Sequence, residues 1–391
     1  MQFINFMIYM YHINLYWDRG NDMNGLLITS DFDNKILDGG QYVNKRNYEV
    51  LSKCCENLDV IKTNKISNNS LKRKINTFLE IIICGSFYGE SIFMKRKIVN
   101  LLKTGKYDFC FISQSLGGNL AYYIKKRIKN IKVIVFFHNV EYDFYKQLAE
   151  TSSKYKYLLA LNAKKNEKYA IKYADNIIAL NIRDAKKIFN MYGREVDFIF
   201  PTTFKDLCEN IKLDRIIYKN DEKNIKTLLF VGSDFYANFQ GIEWFIKNVL
   251  PYLDKTVLNI VGKGTEKWRD SFKDIRNLNI LGSVESLEDY YLRADAIVLP
   301  IFLGSGMKTK TAEALMYGKY IFGTKEAFEG YDIDYDKIGC LCNNREDFIE
   351  KINNHFKVVT NIYNEYSRKI FLEKYDTNKW VTIMNYFLNN K

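Results

Sequence analysis

The chain has 391 residues, 47% of them hydrophobic, and a net charge of +12. That is enough for two domains with separate cores, and it excludes both a disordered tail and a small disulfide-stapled module. Seven cysteines without C-x-x-C spacing and only three histidines leave no recognisable zinc site, so the cysteines are read as reduced thiols of a cytoplasmic protein.

The charge is unevenly divided. Residues 1–200 carry 31 Lys+Arg against 19 Asp+Glu, whereas residues 201–391 carry 27 against 27. Such one-sided loading predicts an anionic surface or acidic ligand facing the N-terminal half. The opening stretch MQFINFMIYMYHINLYW is oily but lacks a basic n-region and a cleavage site. No stretch reaches the roughly 18 apolar residues that a spanning helix needs. Met23 precedes the first clear strand, so residues 1–22 are a candidate extension outside the fold.

From there the chain alternates strands and helices. Strands are expected at 25–30, 107–113, 132–138, 176–180 and 197–201, several with the continuous β-branched and aromatic character of parallel strands covered on both faces. Between them lie amphipathic segments at 95–105 and a helix through 144–174. Residues 202–225 follow Pro201 without clear periodicity and read as a linker. The alternation restarts at 227–233, 257–264, 278–284, 296–301 and 319–324. The expected organisation is therefore a first Rossmann-like domain over 23–201, a linker over 202–225 and a second Rossmann-like domain over 226–372. A last amphipathic helix, within 373–391, crosses back to the first domain. Two such domains leave a cleft between the carboxyl ends of their strands, where open α/β sheets bind ligands.

The segment 294–330 carries the clearest chemistry. A strand ends at Pro300, and a loop with Gly304, Ser305 and Gly306 leads into a helix whose start holds Lys308 and Lys310. Backbone N–H groups at a helix N-terminus, reinforced by two ammonium groups, suit a diphosphate. Glu313, one turn on, is placed to accept hydrogen bonds from a ribose diol. The stretch GSGMKTKTAEALMYGKYIFGT resembles the donor-binding signature of group 1 (family 4) retaining glycosyltransferases, with Lys310, Glu313, Ala314 and Gly318 on the pattern. The resemblance extends through FVGSDFYANFQGIEW, LNIVGKG and NILGSVESLEDYYLRADAIVLP, and into the N-terminal half through DGGQ, FHNVEYDF and ADNIIALN.

The resemblance implies a GT-B fold and transfer of a sugar, with retention, from a nucleotide diphosphate to a glycan or a lipid-linked acceptor, in surface polysaccharide or glycolipid synthesis. Carried over residue by residue, Lys310 and Lys308 hold the diphosphate and Glu313 the ribose. Gly232 and Ser233 line the phosphate pocket, Val284 meets the nucleobase through its backbone, and Gly39 and Gly40 bring backbone amides from the first domain. His138 hydrogen-bonds the transferred sugar. His138, Lys310 and Glu313 are the expected catalytic residues; no cofactor or metal is expected.

Two departures from the pattern stand out: Ser305 occupies the place of the first carboxylate of a Glu-x7-Glu pair, and Ser233 the place of an arginine. They leave open a catalytically silent nucleotide-sugar-binding subunit of the same fold; a GT-B epimerase needs a fuller set of acids and bases than the sequence holds. Asp31 with Asp33, and Asp332 with Asp334, have D-x-D spacing but read as ordinary carboxylates, and His12 and His355 as surface or packing residues. Basic clusters at Lys72–Lys74, Lys95–Lys97 and Lys125–Lys129, beside Phe78, Leu79, Phe93, Tyr122 and Tyr123, predict docking on an anionic membrane surface. No nucleic-acid-binding module is readable.

Overall fold

A computed structural model describes residues 23–32, 39–63, 91–151, 156–209, 225–304, 307–359 and 361–390. Outside them lie residues 1–22 with His12, Asp33, the cluster Lys72–Lys74 with Phe78 and Leu79, Cys84, linker residues 210–224, and the loop residues Ser305 and Gly306.

Two parallel six-stranded sheets form the frame. The first contains β1 (Asn24–Ser30), β2 (Asn57–Thr63), β3 (Phe109–Ile112), β4 (Lys132–Phe137), β5 (Asn176–Ala179) and β6 (Phe198–Ile199), in the order β2-β1-β3-β4-β5-β6. The second contains β7 (Lys226–Val231), β8 (Thr256–Val261), β9 (Leu278–Gly282), β10 (Ala296–Leu299), β11 (Tyr320–Gly323) and β12 (Gly339–Leu341), in the order β12-β11-β10-β7-β8-β9. The chain reverses direction across the sheet between β1 and β3 in the first domain and between β7 and β10 in the second. Loops leaving those strands therefore open crevices at the carboxyl edges, where ligands bind in such sheets. This is the expected α/β GT-B architecture.

Every strand expected from the sequence is present, and all but β1 end earlier than the expected runs, whose last residues lie in the loops that follow. Two strands escaped the reading. β2 is an edge strand with one half-exposed face, carrying Asp59 and Lys62 among its apolar residues, and β12 is only three residues long. The helix expected through 144–174 is instead two, Glu141–Thr151 and Lys156–Tyr173.

Each sheet is covered on both faces. Leu26, Ile28, Val133, Val135 and Ile177 face helices on one side of the first sheet, and Leu228, Phe230, Leu258 and Ile260 face helices on one side of the second. The remaining faces belong to one continuous cluster running from Leu27 and Phe136, through Phe204 and Trp380, to Leu229 and Leu315. Burial on that scale dominates the stability of the frame.

Two strands of chain cross between the domains side by side. Phe204 N–H donates to Tyr375 O at 2.9 Å and Thr377 N–H to Phe204 O at 2.9 Å. Arg368 grips Asp206 with both terminal guanidinium nitrogens, Nη1 donating to Oδ1 at 2.8 Å. The helix Thr377–Asn389, capped by Asp376, then packs on the helix Gly39–Cys54, where Lys53 Nζ donates to Asn378 Oδ1 at 3.0 Å. The C-terminal helix does return to the first domain.

The six described cysteines, Cys54, Cys55, Cys110, Cys208, Cys340 and Cys342, are free thiols, with burial pushing those of Cys54 and Cys55 up to about 12. Among the described residues no helix is long and apolar enough to cross a membrane.

Candidate active site

The second domain builds its part of the site from the loops after β7 and β10. Gly241, on the helix Tyr236–Asn248, has no Cβ because one would lie 1.8 Å from Pro300 O. That close approach sets the height at which the β10 loop leaves the sheet. The loop then turns at Gly304, whose φ of +147° belongs to glycine. A Cβ there would also press on Lys308 Cε at 3.2 Å. The helix Thr309–Met316 follows, with Lys308 at its N-cap and Tyr331 Oη donating to Lys308 O at 2.6 Å.

Lys310 lies in the first turn of that helix. Its Nζ donates to Asn238 Oδ1 at 2.6 Å and sits 5.3 Å from the Phe230 ring centroid, while Asn238 Nδ2 donates to Ser233 O at 2.9 Å. One asparagine thus joins the lysine to the β7 loop. Burial, then the neighbouring Lys308, lowers Lys310 to about 7. Lys308 is also lowered by burial, and its ammonium pairs with Glu326 at 2.7 Å. The sequence placed both lysines in the first turn; in the structure Lys308 is at the cap, and its charge is shared with Glu326 from the loop after β11. Glu313 accepts a hydrogen bond from Tyr291 Oη at 3.2 Å, and burial raises it to about 7. Gly232 and Ser233 stand at the end of β7, and Val284, half-buried, packs against the core beside β9.

The first domain faces this wall with a second helix N-terminus. Gly39 and Gly40 open the helix Gly39–Cys54, and a Cβ at Gly39 would come within 4.0 Å of Thr309 Cγ2. Two helix N-termini, both carrying positive partial charge, therefore meet across the cleft. Beneath Gly39, Asn44 Nδ2 donates to Ser30 Oγ at 2.6 Å and Ser113 Oγ to Asn44 Oδ1 at 2.8 Å, a buried polar floor at the ends of β1 and β3. His138 follows β4 and packs edge-on against Phe136 at 5.1 Å.

The structure thus gathers Gly39, Gly232, Ser233, Gly304, Lys308, Lys310 and Glu313 around the facing loops. It adds Asn238, Tyr291, Glu326 and Arg183, which sequence reading missed. Glu326 lay inside the segment singled out, yet nothing in its spacing marked it; Asn238 and Tyr291 are known as neighbours only once the helices are packed.

Of the D-x-D carboxylates, Asp33 lies outside the described residues and the other three are near lysines. Asp31 lies 4.0 Å from Lys62, Asp332 pairs with Lys374 at 2.7 Å and Asp334 with Lys337 at 3.1 Å. No group of three His, Cys, Asp or Glu residues suited to a metal ion occurs among the described residues. His355 packs on Tyr320 at 4.4 Å, and burial lowers it to about 4. The basic clusters need correction. Arg96 and Lys97 are exposed, but Lys95 turns inward on the helix Ile92–Thr104, is 2% exposed and donates to Asn119 Oδ1. Lys125 is engaged by Asp175 at 2.9 Å.

Residues 225–357 match the family model described as Glycosyl transferases group 1. No curated protein matches the chain in sequence. Among solved structures, the chain is similar to a sucrose-phosphate synthase from Thermosynechococcus elongatus, with a TM-score of 0.70 and 14% identity over 93% of this chain and 98% of that one. It is also similar to HepE from Anabaena in complex with UDP and glucose, with a TM-score of 0.62 and 12% identity over 94% and 100% of the two chains. A third is the lipopolysaccharide outer core galactosyltransferase WaaB, with a TM-score of 0.60 and 13% identity over 93% and 99%.

Proposed function

We propose that this chain, whose residues 225–357 match the glycosyl transferases group 1 model, transfers a sugar with retention from a nucleotide-diphosphate donor to a glycan or lipid-linked acceptor. The observation that carries the reading is the meeting of two helix N-termini, at Gly39 and Thr309, beside the half-buried Lys310. Like-signed helix ends and a desolvated ammonium repel one another unless an anion lies between them, and a diphosphate supplies it. The solved complexes of HepE with UDP and with UDP-glucose support a uridine nucleotide as the first donor to test.

In this reading the bond from the sugar anomeric carbon to the β-phosphate oxygen breaks, and charge grows on that oxygen where Lys310 and the helix N–H groups stabilise it. The acceptor oxygen bonds to the anomeric carbon from the same face, and its proton passes to the departing phosphate. Glu313 holds the ribose, Val284 the base and His138 the sugar. The test is a thermal-shift screen of nucleotide sugars, followed by NMR of the anomer released by slow donor hydrolysis. Release of the donor's own anomer supports transfer with retention; the inverted anomer rejects it. Binding without hydrolysis favours the silent-subunit reading, which Ser305 in place of a carboxylate keeps in contention.

Lys308, Lys310 and the helix ends already supply positive charge, so the nucleoside diphosphate is expected to bind without a divalent metal. Calorimetry should give the same affinity with and without EDTA, and a large loss under chelation rejects this.

The lipid-linked acceptor reading draws on the first domain's surface, where Phe93 is 75% exposed beside Arg96 and Lys97, and Leu158 and Leu161 are 56% and 60% exposed near Lys164 and Lys165. Binding to anionic liposomes is expected to fall as salt rises and to fall further for Arg96→Glu with Lys97→Glu. Equal sedimentation of both proteins reduces these residues to solubility.

A further inference from the structure

The loop after β11 lies between the donor loop and the first domain and touches both. Thr311 Oγ1 donates to Ala327 O at 2.7 Å, and Tyr331 Oη to Lys308 O at 2.6 Å, tying it to the helix Thr309–Met316. On the other side a Cβ on Gly330 would lie 2.9 Å from Asn181 Cβ and 2.7 Å from Met307 Cγ. Asn181 caps the first-domain helix Ile182–Tyr192, accepting from Asp184 N–H at 2.8 Å.

Glu326 stands on this loop with one oxygen toward each domain. Oε1 is 2.7 Å from Lys308 Nζ, and Oε2 is 3.4 Å from Arg183 Nη1. Arg183 also reaches Glu329 at 3.3 Å and its neighbour Asp184 at 3.6 Å. The side chains are only 12% to 23% exposed for Lys308, Glu326, Arg183 and Glu329, so these pairs are shielded far more than surface pairs.

Resting on the donor-site reading above, we infer that Glu326 is a positioning residue that couples closure of the two domains to the grip of Lys308 on the diphosphate. A diphosphate at the start of the helix Thr309–Met316 competes with Glu326 for the Lys308 ammonium. With the domains together, Arg183 neutralises the Glu326 carboxylate as Lys308 leaves it, and Lys308 turns to the phosphate. When the domains part, Arg183 leaves with the first domain, Glu326 recaptures Lys308, and the diphosphate product loses one of its cations. Arg183 and Glu326 thus act on the phosphate with opposite sign although they are ion-paired to each other.

The test uses the full chain and calorimetry with UDP, ADP and GDP, the tightest binder being carried forward. Glu326→Gln removes the competing charge and is expected to tighten diphosphate binding about five- to tenfold while turnover falls, because product release slows. Arg183→Gln leaves Glu326 wholly to Lys308 and is expected to weaken binding about fivefold. The double variant should bind like Glu326→Gln. A merely structural role for either residue would weaken binding in both single variants, so shifts in the same direction, or none, overturn the coupling. Lys310→Ala separates the two levels. If wild type binds none of the three nucleotides, or Lys310→Ala binds as wild type does, the donor-site reading fails and the coupling with it. If Lys310→Ala weakens binding while Glu326→Gln and Arg183→Gln leave it unmoved, only the coupling is lost.

Discussion

Lys310→Ala is expected to weaken binding of the nucleoside diphosphate and to lower kcat/KM by about 2–4 kcal/mol of transition-state stabilisation, the range found for single electrostatic donors aimed at developing charge. The lysine is held by an uncharged partner, Asn238 Oδ1 at 2.6 Å, and not by a carboxylate, so its charge is directed rather than cancelled. Its neighbour Lys308 does not take over its place, because Lys308 stands at the helix cap, two positions away, and in the ligand-free site its ammonium is paired with Glu326.

A pH signature accompanies this loss. Burial and Lys308 lower Lys310 to about 7 in the ligand-free site, so the amine is increasingly neutral as pH rises through that value. A bound diphosphate favours the ammonium and raises the pKa again, so binding between about pH 7 and pH 9 takes up a proton, and affinity falls as pH rises. Calorimetry in buffers of different ionisation enthalpy measures that proton directly. In Lys310→Ala the uptake should disappear together with the affinity. Wild-type affinity in the variant, or proton uptake unchanged by the substitution, removes Lys310 from the phosphate site.

The frame was legible because its signals are local and continuous. Runs such as KVIVFF can only be strands covered on both faces, and β4 is buried at every position but its first. Restarting the alternation after residue 225 gives two sheets, and the amphipathic stretch ending in NYFLNN has an apolar face that needs the helix Gly39–Cys54 to cover it. Illegible parts are those whose reason lies across space. β2 hides because an edge strand alternates Asp59 and Lys62 with apolar residues. Lys95, written as the first of three basic residues, is rotated by the helix against Asn119. The same limit applies in the cleft. Lys308 and Lys310 differ by two positions, enough to place one at the cap beside Glu326 and the other in the first turn beside Asn238. Gly241, an unremarkable helical glycine in the sequence, is fixed by the Pro300 carbonyl it must let past.

His138→Ala is expected to act on the other half of the reaction. His138 follows β4 in the first domain and rests against Phe136, whereas Lys310, Asn238 and Glu313 all belong to the second domain. If His138 meets the transferred sugar, a nucleoside diphosphate that lacks the sugar has nothing to lose with the imidazole. Its affinity should stay within about twofold of wild type, while kcat with the sugar donor falls about a hundredfold, the pattern of an interaction realised only when the sugar is present. The ring is half-buried and lies beyond the end of β4, outside the sheet's core, so the variant should keep its melting temperature to within a few degrees. Combining His138→Ala with Lys310→Ala then asks whether the walls act independently. Diphosphate affinity in the double variant should equal that of Lys310→Ala alone, because His138→Ala by itself leaves that affinity unchanged and effects at independent sites add. If His138→Ala by itself abolishes binding of the free nucleoside diphosphate, the histidine belongs to the phosphate site and the division of the cleft into a phosphate wall and a sugar wall is wrong. Wild-type turnover in both single variants removes the cleft as the site of transfer.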